Sequence, residues 1–112
     1  MKKFDVKTQW ATYEECFLTM HQYADNGHIY LGIFSAKEGP IADMTINIRG
    51  IERLPKNFSC VDTNNCPWML RLIEKLKIGH YEHVLLPSGF CEYPVFSFDI
   101  DKINDYLEEE DE

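Results

Sequence analysis

Cys16, Cys60, Cys66 and Cys91, with His21, His28, His80 and His83, are the side chains of this sequence that could hold a metal or attack an electrophile. Their spacing argues against both. Zinc sites gather cysteines two to four residues apart, whereas five residues separate Cys60 from Cys66 and neither Cys16 nor Cys91 belongs to a close pair. His80 and His83 are separated by two residues in a predicted loop and are read as solvated. A nucleophilic Cys91 would need a lowered thiol pKa and an orienting third group, and neither is visible around it. Ser88-Gly89 lacks the glycine pattern of a nucleophile elbow, and no glycine-rich phosphate loop precedes a helix. No catalytic residue, metal ligand or cofactor is therefore expected. A small metal- or cysteine-dependent hydrolase or nuclease using His80, His83 and Cys91 stands as the alternative.

The chemistry that remains is recognition. Tyrosine offers a large contact area and a polar tip at little entropic cost, which favours it in binding surfaces. His21, Tyr23, His28, Tyr30, Asp43, Thr45, Asn47 and Ser97 are predicted to share one open sheet face. A solvated face of ordinary strand formers would carry much the same residues.

The elements that must position that face follow from periodicity. Within residues 16–48, two alternating runs flank Asn26-Gly27, the dipeptide suited to a type I′ hairpin turn. With a two-residue loop, Tyr23 faces Tyr30, His21 faces Gly32 and Met20 faces Ile33. Leu18, Met20, Ala24, Ile29, Leu31 and Ile33 then point to the core, with Gln22 as the misfit. Ala42, Met44, Ile46 and Ile48 continue the pattern after the turn at Lys37-Glu38-Gly39-Pro40, and Phe58–Val61 is a further short strand.

Asp62-Thr63-Asn64-Asn65 and Pro67 signal a helix start. Met69, Leu72, Ile73 and Leu76 give the helix an apolar stripe, and Gly79 is the expected stop. Residues 80–94 read as loop, and residues 95–100 as a final strand. The result is an α+β domain: a mostly antiparallel, four- to five-stranded meander with one helix on one face. Residues 1–98 form the single domain, and residues 99–112 are the end of the last strand plus an acidic C-terminal tail.

Charge is concentrated there. The chain's 112 residues carry eleven Lys and Arg against nineteen Asp and Glu, for a net −8. Asp99, Asp101, Asp105, Glu108, Glu109, Glu110, Asp111 and Glu112 against Lys102 place −7 of it in the last fourteen residues. Such a charge argues against direct nucleic-acid binding, which needs a basic footprint. Asp105 and Glu108 to Glu112 are a second candidate contact, although a run of like charge is usually a solubilising extension. No signal peptide or membrane span is visible, so a cytoplasmic protein with reduced thiols and no membrane partner is expected.

Four blocks carry a resemblance: Tyr23 to Gly32, Gly39 to Ile48, Leu54-Pro55 through Val61-Asp62-Thr63-Asn64-Asn65, and Ser88 to Pro94. Together they resemble a small uncharacterised domain family of bacterial conjugative elements and phages, also found as a module of large polyvalent proteins. The likeness spans most of residues 16–98, with the first fifteen residues and the acidic tail outside it. Cys66, Trp68 and the longer C-terminus depart from the pattern. The resemblance implies context rather than chemistry: a non-enzymatic, counter-defence binding protein that inhibits a host nuclease stoichiometrically, of anti-CRISPR or anti-restriction type. An accessory module for element transfer or replication is the other role it implies.

Overall fold

A computed structural model describes residues 1–108. Eight strands form two antiparallel four-stranded sheets, and two short helices complete the α+β fold. The first sheet runs β1 (Phe4–Lys7), β2 (Thr12–Gln22), β3 (Ile29–Ser35), β4 (Gly39–Asp43) in chain order. β5 (Thr45–Ile46) and β6 (Phe58–Val61) belong to the second sheet, together with β7 (Gly79–Ser88) and β8 (Cys91–Phe98), in the order β5-β6-β8-β7. The expected meander is thus divided in two.

Division occurs at Met44. Its N–H donates to Leu31 O in the first sheet (2.9 Å), and its carbonyl accepts from Asp62 N beside the second (3.1 Å). Leu18, Ile29, Leu31 and Ile33 from one sheet and Val61, Phe96 and Phe98 from the other share the main core. A smaller core of Ile48, Ile51, Cys60, Tyr93 and Val95 fills the opposite side of the second sheet, beneath a 3₁₀ turn at Ile51–Arg53. The alternation of Cys60 and Val61 between these cores is the period-two rule of a strand buried on both faces.

Helix α1 (Met69–Leu76) buries the expected stripe of Met69, Leu72, Ile73 and Leu76. It stops at Lys77 rather than at Gly79. Lys77 takes the left-handed conformation at φ 57°, and its N–H returns to Ile73 O and Glu74 O. Gly79 instead opens β7 against the core, where a Cβ would lie 3.1 Å from Ile73 and 3.2 Å from Phe98. Residues 80–94, expected as loop, form most of the β7–β8 hairpin. Pro87 misled that expectation. It sits on an edge strand, where its missing N–H breaks no ladder.

The last strand ends at Phe98, and Ile100 begins helix α2 (Ile100–Asn104). Asp99 caps this helix by accepting from Lys102 N at 3.2 Å. Ile103 is fully buried, Tyr106 meets Phe4 edge-on at 5.7 Å, and Leu18 N donates to Tyr106 O at 2.8 Å. Residues 99–107 therefore close the main core instead of trailing from it.

Candidate functional site

The β2–β3 ladder ends at Gln22↔Ile29, so the connection is residues 23–28 and not a two-residue turn. His21 faces Tyr30, and Thr19 faces Gly32, a register two residues from the expected one. A two-residue shift preserves which face each strand residue occupies. Tyr23 N donates to His28 O and Gly27 N to Tyr23 O, and Gly27 takes φ 74° while Asn26 stays outside the left-handed region. Type I′ needs positive φ at both central residues, which explains the failure of that expectation.

His28 pays the consequence in position. Outside the ladder it leaves the alternation, is fully buried, and places Nδ1 2.8 Å from Phe58 O. It is not on the open face, contrary to expectation. Ala24, expected in the core, is exposed in the same loop.

What the structure does bring together is an aromatic cluster on the outer face of the first sheet. The rings of Tyr23 and Tyr30 stack at 4.8 Å with 4° between planes, and His21 approaches Tyr30 edge-on at 6.3 Å. Tyr30 donates its hydroxyl to Asp43 Oδ1 at 2.9 Å. Tyr23 OH lies 2.9 Å from Thr45 Oγ1, which also accepts from Leu31 N at 3.2 Å. Thr45 is therefore buried beneath the face and does not line it, a second correction.

Asn47 is exposed and acts as a clasp. Its Nδ2 donates to Asp25 Oδ1 and its Oδ1 accepts from Asn26 Nδ2, each at 2.9 Å. Lys56 Nζ closes the same loop by donating to Asn26 O. The strand crossing at residues 43–47 thus holds both tyrosine hydroxyls and the loop that presents Tyr23.

Burial raises the Tyr23 phenol to about 12, with Tyr30, Asp43 and Asp62 adding to the effect and the Thr45 hydrogen bond opposing it. The hydrogen bond to Asp43 raises Tyr30, with burial second. Both phenols stay protonated at neutral pH.

Sequence reasoning missed Phe17 and Phe34. They face each other across β2 and β3 with centroids 6.0 Å apart, and they extend the aromatic stripe. Parity could have found them: Phe17 precedes Thr19, His21 and Tyr23 by twos, and Phe34 follows Tyr30 and Gly32. Gly32 pairs with Thr19 between the Phe17–Phe34 and His21–Tyr30 levels, where a Cβ would lie 2.8 Å from Thr19 Oγ1 and force that side chain to shift.

The remaining predicted residues lie apart. Ser97 is in the second sheet and donates to Glu82 Oε2 at 2.6 Å. Asp105 lies 3.9 Å from Lys2 Nζ, Glu108 is exposed, and Glu109, Glu110, Asp111 and Glu112 lie outside the described residues. His80 pairs with Ser97 while Cys91 pairs with Ser88 at the far end of the hairpin. Six residues of β8 separate those levels, about 20 Å of extended chain. Among the described residues no three His, Cys, Asp or Glu side chains gather as a metal site, and no helix is long and apolar enough to cross a membrane.

Fold and surface together define a small α+β domain of two antiparallel sheets, one of which displays an aromatic outer face. The chain belongs to the family described as Domain of unknown function (DUF4313), whose sequence model matches residues 17–112. That match runs through the acidic C-terminus, which the four blocks of resemblance leave outside. No curated protein and no solved structure gives a significant match.

Proposed function

We propose that this chain is a non-enzymatic binding protein that docks a protein partner on the aromatic face around His21, Tyr23 and Tyr30. The stacked tyrosine pair carries the reading. With both hydroxyls held by Asp43 and Thr45, the rings lose little freedom when a partner covers them, and preorganisation of this kind lowers the cost of association. Partner identity rests on the resemblance to mobile-element proteins: a host restriction or CRISPR nuclease in the cytoplasm, inhibited stoichiometrically as a counter-defence measure. The acidic C-terminal segment supports that choice, because it would steer the chain toward a basic nuclease surface. The hydrolase alternative is disfavoured by the distance that β8 puts between His80 and Cys91.

A pull-down against nuclease effectors tests the reading with Tyr30→Ala, His21→Glu and a chain ending at Glu108. The cut belongs there because Tyr106 and Leu107 pack against the core. Loss of capture by either face variant supports the surface. Capture untouched by both rejects it, and capture of element-encoded transfer proteins in place of nucleases replaces the partner.

A further inference from the structure

The net charge of the whole chain conceals a basic surface on one side of it. Between helix α1 and the β1–β2 hairpin lies a groove of about 820 Å³, lined by Lys7, Arg71 and Lys75, with Trp68 at its wall and Asp5 as its one acid. Arg71 and Lys75 are four residues apart, which sets them on one flank of α1. A neighbouring hollow of about 580 Å³ shares Asp5 and Lys75 and adds Lys2 and Lys3. Five of the eleven basic residues therefore follow one track. Trp10, 86% exposed, stands in the turn whose Thr8, Gln9 and Thr12 line the first groove.

Trp10 is exposed and Trp68 half-buried against the core, and cations beside such indole rings are the chemistry that binds single strands: the cations take phosphates, and bases stack on the open part of the rings. An acidic peptide would use the cations but leave the tryptophans without a matching partner. We propose that this groove binds single-stranded nucleic acid, with phosphates on Lys7, Arg71 and Lys75 and bases against Trp68 and Trp10. The assignment is independent of the docking face on the first sheet. Average charge argues the other way, and Asp105 of the acidic segment lies 3.9 Å from Lys2 Nζ at the edge of the second hollow, but the first groove sets Lys7, Arg71 and Lys75 against Asp5 alone.

Trp10 and Trp68 are the chain's two tryptophans, so intrinsic fluorescence reads the site directly. The probe is a fifteen-nucleotide oligothymidylate at about 50 mM salt, a condition under which phosphate contacts are strong. Saturable quenching is expected, retained by Trp10→Phe through Trp68. Arg71→Ala/Lys75→Ala should weaken binding about tenfold and flatten the slope of log K against log salt by about 1.4, at about 0.7 for each cation removed. A change in fold alone would not move that slope in proportion to charge. An oligouridylate arm distinguishes RNA from DNA as the preferred strand, and binding of either supports the assignment. No quenching by either strand, a slope unchanged in the double variant, or equal quenching by a fifteen-residue polyglutamate overturns it.

Discussion

Thr45 holds the hydroxyl of Tyr23 from beneath the sheet, 2.9 Å away, and with the same oxygen accepts the N–H of Leu31. One buried hydroxyl thus supports both a surface ring and the strand next to it. Replacing it by Thr45→Val removes the acceptor while keeping the shape, and leaves a buried N–H unpaired. The expected cost is about 1–3 kcal/mol, read as a lower urea midpoint with an unchanged m-value. Tyr30→Phe, which removes a hydrogen bond at the surface, should cost less than about 1 kcal/mol in the same measurement.

Tyr23 also sets a stability limit at high pH. Its folded pKa of about 12 stands above the ordinary 10, so the folded state holds the proton more tightly than the unfolded one. The contribution is complete below pH 10 and is lost as pH rises from 10 toward 12. Absorbance at the phenolate band should show one tyrosine ionising late, and the loss should steepen alkaline unfolding. Tyr23→Phe should remove that component.

Two residues near the end of α1 carry opposite expectations. Lys77 occupies the left-handed region, which costs a residue with a Cβ roughly 1–2 kcal/mol relative to glycine, and so Lys77→Gly should raise stability by up to about 1 kcal/mol. Gly79→Ala should do the reverse, because its methyl would press on Ile73 and Phe98 at a cost of about 1–3 kcal/mol. Thermal melts of the two variants check both signs. A stabilising Gly79→Ala would contradict the packing described here.

The four cysteines should separate by reactivity. Burial pushes the Cys60 thiol up to about 12 and raises Cys66 and Cys16 as well. These three are buried, whereas Cys91 is half-buried in the β7–β8 hairpin. A thiol reagent under native conditions should modify Cys91 first and leave the other three until the chain unfolds. Cys91→Ser should abolish the fast phase.

Legibility from the sequence followed the length scale of each signal. The helical stripe from Met69 to Leu76 and the strand Phe58–Val61 emerged as read, because local periodicity decides them. The faces of β2 and β3 were recovered even though the register was not, since a two-residue error leaves parity intact. The division at Met44 was invisible: Ala42, Met44 and Ile46 alternate as one strand would, and only tertiary pairing assigns them to different sheets. His28 and Thr45 were misplaced for a related reason. Their polar atoms are satisfied by Phe58, Leu31 and Tyr23, partners that no short sequence window contains. The shared side of His21 and Tyr30 is legible because alternation acts between near neighbours, whereas Tyr23 reaches it from the loop at residues 23–28.

The backbone of Met44 gives the molecule its unity. Because its two polar groups answer to opposite sheets, neither layer can peel away without orphaning an amide or a carbonyl in the interior. Native-state hydrogen exchange at Met44 and Asp62 should therefore be among the slowest in the domain, as expected if the two sheets open together.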